Sequence, residues 1–203
     1  MKKDFIYLAS ASPRRSELLR QIGVRFQVRA ARIDEQQAPR ERPGDYVVRM
    51  ARAKADRIWH EAADDARPGP VLGADTAVVL DDAVFGKPAD EPDALRMLEA
   101  LSGRVHTVLT CVAVRDGDEV EAILCTSEVR FRATTAAERR AYCATSEPFD
   151  KAGAYGIQGL GAVFVERLSG SYSAVMGLPL FETAGLLRRF GLPAWLDGEP
   201  DCT

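Results

Sequence analysis

The sequence predicts an α/β protein built on a mixed sheet. Three observations lead there. Apolar stretches of strand length alternate with segments whose apolar residues recur at helical spacing. One stretch, 70–80, is apolar almost throughout, as expected of a strand buried on both faces. Two long strand-like stretches, 104–114 and 120–132, flank Arg115-Asp116-Gly117-Asp118. An Asp-Gly pair between such stretches is a hairpin signal, so an antiparallel pair interrupts the βαβ rhythm and the sheet is not purely parallel.

The elements follow in order. A first strand covers 5–9. Ser12 then offers an N-cap and Pro13 suits the first helical position, where its missing N–H costs nothing. That helix runs to Ile22, with Leu18, Leu19 and Ile22 inward and Gly23 as terminator. A second helix spans 45–60 on a stripe of Val47, Met50, Ala51 and Ile58. After the strand 70–80, Asp81-Asp82-Ala83 turns the chain into Val84-Phe85. A third helix covers 92–101 and stops at Gly103. Beyond the hairpin, Thr135-Ala136-Ala137-Glu138 is a capping box that opens a helix to Thr145. A glycine-rich loop, 153–161, precedes a strand at 162–168, and a last helix, 179–190, closes against Gly191. Residues 1–192 are expected to form a single domain, with 193–203 as a frayed tail.

Composition bounds the function. The chain has 203 residues, 46% hydrophobic and 28% charged, as in an ordinary globular protein. A net charge of −3 argues against a nucleic-acid module and against an acidic membrane surface, so anion binding must come from a local cluster of basic groups. The apolar run 5–9 is too short for a secretory signal, and nothing approaches the roughly 20 apolar residues of a membrane span. Cys111, Cys125, Cys143 and Cys202 form no CxxC pair, and the histidines are only His60 and His106. A zinc site is therefore not expected. Reduced thiols in a cytoplasmic protein are.

Several residues carry chemistry. The turn 10–15, Ser10-Ala11-Ser12-Pro13-Arg14-Arg15, joins free helix N–H groups, two hydroxyls and two guanidiniums, a set suited to phosphate oxygens. Lys54 falls on the apolar stripe of its helix, so its ammonium either snorkels outward or enters a cleft. Asp75 stands in the middle of Val71-Leu72-Gly73-Ala74-Asp75-Thr76-Ala77-Val78-Val79-Leu80. A carboxylate among aliphatics is costly unless it is paired or bound to a cation, which makes it a functional candidate or a scaffold ion pair. Asp34-Glu35 could join it as oxygen ligands for magnesium. Gly86-Lys87-Pro88 presents a lysine stiffly. In Asp150-Lys151-Ala152-Gly153-Ala154-Tyr155-Gly156-Ile157-Gln158-Gly159-Leu160-Gly161, the glycines allow close approach of backbone to a ligand, and Gln158 could read a base edge with its paired donor and acceptor. A strand, not a helix, follows these glycines, so they are not a dinucleotide fingerprint.

Taken together, Leu8-Ala9-Ser10-Ala11-Ser12-Pro13-Arg14-Arg15, Asp34-Glu35, Ala53-Lys54-Ala55, Gly73-Ala74-Asp75-Thr76, Gly86-Lys87-Pro88, the stretch 150–159 and Val175-Met176-Gly177-Leu178-Pro179 resemble the Maf family of nucleotide pyrophosphatases from about Ile6 to Phe190. The resemblance implies a mixed, strongly twisted sheet with flanking helices and two lobes around a cleft, as in Maf and ITPase-like folds. It implies a nucleoside triphosphate cleaved to monophosphate and pyrophosphate with a divalent cation, Mg²⁺ or Mn²⁺. By position, Asp75 corresponds to the proton acceptor, and Arg14, Thr76 and Gln158 correspond to the residues that set base choice. Trp, Gln and Glu at those three places mark the branch acting on 7-methyl-GTP, whereas Arg, Thr and Gln are similar to the dTTP/UTP branch. Ser10, Arg15, Lys54 and Lys87 would then face phosphates, and Glu35 with Asp75 would hold the metal. A homodimer is usual in similar proteins. The competing readings are another nucleotide on the same fold and a nucleotide-binding regulator of cell division without turnover.

Overall fold

A computed structural model describes residues 4–63 and 69–192. The tail expected at 193–203 and Cys202 lie outside the described residues. The elements are β1 (Ile6–Leu8), α1 (Pro13–Gln21), β2 (Phe26–Val28), α2 (Pro43–Glu61), β3 (Val71–Leu80), β4 (Ala83–Phe85), α3 (Glu91–Leu101), β5 (Val105–Asp116), β6 (Glu119–Phe131), α4 (Ala136–Cys143), β7 (Val165–Ser169), α5 (Tyr172–Met176) and α6 (Leu180–Arg189). Seven strands form one sheet in the order β2-β1-β3-β5-β6-β7, with β4 added to β3. β1 runs parallel to β2 and β3, and the other pairings are antiparallel, so the sheet is mixed as predicted.

The turn chemistry places the strands. Asp81 and Asp82 both take positive φ, 50° and 64°, the left-handed pair that a two-residue hairpin between β3 and β4 requires. Asp116 pairs with Glu119 across Gly117-Asp118, closing the long β5–β6 hairpin where the Asp-Gly signal put it. The Thr135–Glu138 capping box is present with both hydrogen bonds.

β3 is the centre of the sheet and is covered on both faces. Residues 71, 73, 75 and 77 point to α2, whose buried side is Val47, Met50, Ala51, Lys54, Ala55 and Ile58. Leu72 and Ala74 point the other way, into a cluster with Ile6, Leu8, Leu19, Leu178, Leu186 and Leu187 beneath α1 and α6. Val78, farther along, joins a separate cluster with Leu98, Leu101, Phe131, Tyr155 and Phe164. No helix among the described residues is long and apolar enough to cross a membrane.

Two local expectations are corrected, and two short elements appear that the sequence reading does not give. Ser12 stands at the α1 N-cap but its side chain makes no capping bond; Ser10 Oγ accepts the Ser12 N–H instead, at 3.2 Å. The strand expected at 162–168 is a 3₁₀ turn over Leu160–Phe164 followed by β7, because the glycines there fold the chain tightly before it can extend. β2 is three residues long and mostly exposed, without the alternation that reveals a strand in a sequence. α5 is a single turn capped by Ser171, which accepts from the Ala174 N–H at 3.2 Å; it is too short for a helical period to register.

Helix and sheet approach closely at Gly73. A Cβ there would overlap the Ala51 carbonyl oxygen and stand 2.8 Å from the Ala55 nitrogen. Glycine at 73, with Ala51 and Ala55 opposite, lets α2 lie low enough for Lys54 to meet Asp75. Gly73→Ala should therefore cost about 1–3 kcal/mol or more through overpacking, read by chemical denaturation. Unchanged stability would mean that α2 and β3 do not touch here.

Candidate active site

The site exists because one edge of β3 is left open. β5 pairs with β3 from Val71 to Val79 on one side. On the other side β1 reaches only to Leu72, its last contact being the Ala9 N–H to the Leu72 carbonyl at 2.8 Å, and pairing with β4 starts only at Val78, opposite Phe85. Among the described residues, Gly73–Ala77 thus has no neighbouring strand on that side. A cleft of about 470 Å³ occupies the gap, a size suited to a small ligand. The gap explains how Asp75 and Thr76, successive residues facing opposite sides of the sheet, both line one cleft.

Asp75 is 7% exposed and Lys54 8%, and their N···O distance is 2.7 Å. The lysine therefore neither snorkels to bulk solvent nor leaves the acid to a scaffold arginine. Lys54 also takes Glu35 at 2.8 Å, whose side chain is mostly exposed. Burial raises the Asp75 pKa above the ordinary carboxylate value, while the Lys54 charge and hydrogen bond, and then Arg15, oppose that rise. Tyr46 lines the same wall and donates to the Glu35 carbonyl at 3.0 Å. Burial, with the Asp75 and Glu35 charges behind it, pushes its phenol up to about 12.

Arg15 reaches inward from the first turn of α1. Its Nε donates to the Gly177 carbonyl at 2.9 Å, Nη1 to Ser10 Oγ at 3.0 Å, and Nη2 to Thr76 Oγ1 at 3.3 Å. All three acceptors are neutral, so the guanidinium is held in the cleft wall without a carboxylate in contact among the described residues. Burial lowers its pKa from the usual value, against the attraction of Asp75. Such a cation is poised for an anion that comes from outside. Lys87 also lines the cleft, is exposed, and makes no ion pair among the described residues.

Arg14 does something different from Arg15. It crosses to the glycine-rich segment, pairing with the Asp150 carboxylate at 2.7 Å and its carbonyl at 3.3 Å. Partial burial works to raise the Asp150 pKa, but hydrogen bonds from Lys151 and Arg14 hold it below its usual range. Gln158, on the exposed shoulder of that segment, lines the cleft as expected. The structure thus brings Ser10, Arg14, Arg15, Glu35, Lys54, Asp75, Thr76, Lys87 and Gln158 to one cleft.

The glycines also serve the loop itself: a Cβ at Gly159 or Gly161 would strike Glu147 or Tyr142. Glu147 organises the loop from within, accepting from the Tyr142 hydroxyl at 2.8 Å and from the Leu160 and Gly161 N–H groups at 2.9 and 3.1 Å. Gly153, at φ 70°, packs on Val78 and donates its N–H to the Gly86 carbonyl at 3.0 Å, which ties the loop to the Lys87 turn. Sequence reasoning missed Glu147, Tyr46 and Tyr155. Glu147 carries no local motif. Tyr155 lines the cleft and meets buried His106 Nε2 at 2.8 Å, a contact between residues 49 positions apart.

Among the described residues no group of three or more His, Cys, Asp and Glu is placed to hold a metal by itself. Glu35 and Asp75, converging on one ammonium, still fit a hard divalent cation of the kind that takes one or two carboxylates and completes its shell with water and phosphate oxygens. Cys111, Cys125 and Cys143 are free.

Comparison with known proteins agrees with this geometry. A family model described as Maf-like protein matches residues 5–190. A Pasteurella multocida (strain Pm70) protein named dTTP/UTP pyrophosphatase is 51% identical over 195 residues, covering 93% of this chain and 98% of that protein. A Bordetella avium (strain 197N) protein of the same name is 52% identical over 194 residues, covering 92% and 96%. One from Aromatoleum aromaticum is 50% identical over 202 residues, covering 93% and 96%. With every motif of the resemblance gathered around the open edge of β3, and with likeness extending over nearly the whole chain, this protein belongs to the Maf-like family.

Proposed function

We propose that this protein is a nucleotide pyrophosphatase that hydrolyses dTTP and UTP to the monophosphate and pyrophosphate. The observation that carries the reading is the buried Asp75–Lys54 pair on the wall of a cleft ringed by cationic groups, supported by the names of relatives at about half identity over almost their full length. Arg14, Thr76 and Gln158 stand where they can meet the base, and modified pyrimidine nucleotides of the same edge chemistry are further candidates.

In this reading water attacks the α-phosphorus, the bond to the β-phosphate bridging oxygen breaks, and pyrophosphate leaves. Asp75 takes the proton from the attacking water. Burial makes its carboxylate more basic than one in solvent, and Lys54 keeps it ionised, which suits a general base. Negative charge grows on the leaving oxygens, where Arg15, Lys54 and Lys87 and the Ser10 hydroxyl stabilise it. Arg15 is already fixed by three hydrogen bonds, so little reorganisation accompanies the step. A divalent cation held by Glu35 and Asp75 supplies charge neutralisation at the phosphates when bound. Arg14, clamped to Asp150, holds the glycine-rich segment over the cleft.

The test is phosphate release from a panel of nucleoside triphosphates with magnesium and added inorganic pyrophosphatase. UTP and dTTP should be turned over ahead of the purines, and Asp75→Asn should lose about 10²–10⁴-fold while retaining its circular dichroism. No turnover of any triphosphate would sink the enzyme reading; near-native turnover by the Asn variant would remove Asp75 from it.

A pH profile tests the pair. The base must be ionised, so kcat/KM should fall as pH drops through the Asp75 pKa, at a pH above the ordinary carboxylate value of about 3.9. Lys54→Met removes the charge that opposes the rise, so the residual activity should show its acid limb at higher pH than the native protein. An unmoved limb would show that the titrating group is not Asp75.

A further inference from the structure

We propose that Tyr46 and Arg49, in the first two turns of α2, are positioning residues: they clamp the loop 29–42 through Glu41 and two backbone carbonyls, and so aim the Glu35 carboxylate at the cleft. The proposal deepens the reading above and rests on Glu35 as a ligand of the divalent cation.

Glu35 needs such a device. Residues 29–42 join β2 to α2 without helix or strand, none of them is buried, and 34–40 are exposed throughout. No core therefore fixes the segment that carries this acid. The Glu35 side chain does meet Lys54 Nζ at 2.8 Å, but it is 56% exposed. A solvated ion pair is too weak to offset the backbone entropy of a whole loop.

The helix supplies the rest. The Tyr46 hydroxyl donates to the Glu35 carbonyl and Arg49 Nη2 to the Gln36 carbonyl, both at 3.0 Å. The Arg49 guanidinium also forks onto Glu41, Nε to Oε1 at 2.6 Å and Nη2 to Oε2 at 2.7 Å. Two-pronged contact of this kind fixes orientation as well as distance. Glu41 passes the hold along the loop: its Oε2 accepts the Ala38 N–H at 3.0 Å and its carbonyl accepts the Gln37 side-chain amide at 2.8 Å. Asp34 Oδ1 accepts the Gln36 N–H at 2.9 Å, which closes the chain around Glu35. The acid is thus held by its own carbonyl, by its neighbour's carbonyl and by its side chain, and all three partners stand on α2. The same helix carries Lys54 to Asp75, so one rigid element sets the place of both acids. When Glu35 turns from Lys54 toward a cation, the Tyr46 and Arg49 contacts still hold its backbone. The Arg57–Glu61 pair is different, since it links α2 only to itself.

The experiment has a binding arm and a kinetic arm. Mn²⁺ affinity is read from loss of the free-ion electron paramagnetic resonance signal, on the full chain at a fixed concentration of a non-hydrolysable UTP analogue. The kinetic arm is the Mg²⁺ concentration that gives half-maximal UTP hydrolysis. Arg49→Met should weaken both about tenfold, as loss of an outer partner of a metal ligand does, with little change in kcat at saturating Mg²⁺. Tyr46→Phe and Glu41→Gln each remove part of the clamp and should shift both readings the same way by less. Arg57→Met should shift neither, and an equal shift there would overturn the proposal. In a Glu35→Gln background, Arg49→Met should weaken Mn²⁺ by no more than about twofold further. A loss as large as in the native background would show that Arg49 does not act through Glu35. Native Mn²⁺ affinity in Arg49→Met would show its contacts to be structural only. Either result would overturn the proposal. If Arg49→Met does not fold, Tyr46→Phe and Glu41→Gln carry the test, and unchanged affinity in both would overturn it. Native Mn²⁺ affinity in Glu35→Gln would also overturn it, together with the ligand role of Glu35, while leaving the nucleotide reading intact. Failure to hydrolyse UTP and dTTP at all would overturn the nucleotide reading, and the proposal with it.

Discussion

Asp75 and Lys54 each occupy a position that physics disfavours for a charge, the one in the middle of an apolar strand and the other on the inward stripe of a helix. Each is tolerated because the other is 2.7 Å away. Removing one partner of a buried pair typically costs about 3–5 kcal/mol, whereas replacing both by apolar groups is often neutral. The pair is thus a poor way to stabilise a fold and a good way to keep a basic carboxylate ionised beside a cleft. Much of the surrounding architecture follows from making it possible. Gly73 and the alanines of α2 bring helix and strand together, and Glu35 adds a second acid to the same ammonium.

A second constraint is the interruption in the sheet. Strands normally shield each other's edges, and an unshielded edge is a liability. Here β1 stops early and β4 starts late, so five residues of β3 have a partner on one side only among the described residues. The cleft lies in that gap. Two faces of one strand then serve one site, the acid on the α2 face and the threonine on the α1 face. Arg15 and Arg14, adjacent in sequence, divide the work: one braces the cleft wall, the other ties α1 to the glycine-rich segment.

Much of this was legible from residues alone, and the limits have physical reasons. Asp75 stood out because a carboxylate amid Val, Leu and Ala is expensive wherever it lies. Lys54 stood out because helical period is a strong signal over 19 residues. The hairpin at Gly117 and the capping box at Thr135 were visible because turn and cap chemistry is local. What local pattern cannot carry is long-range pairing. β2 and α5 are too short to show a period, and the acceptors of Arg15 come from residues as distant as Gly177. The glycine-rich loop was recognised as special for an incomplete reason: its glycines yield to Glu147 and Tyr142, which sit inside the loop. That the gap in the sheet unites Asp75 and Thr76 needed strand order, which periodicity does not give.

The central claim is that the buried acid faces the reacting phosphorus. A crystal structure with a UTP analogue whose α–β bridge cannot be hydrolysed tests it most directly. The account predicts the α-phosphorus one water molecule away from the Asp75 carboxylate, with the β- and γ-phosphate oxygens on Arg15, Lys54 and Lys87. A nucleotide bound with its base against Asp75, or with its triphosphate outside the gap between β1 and β4, would contradict it.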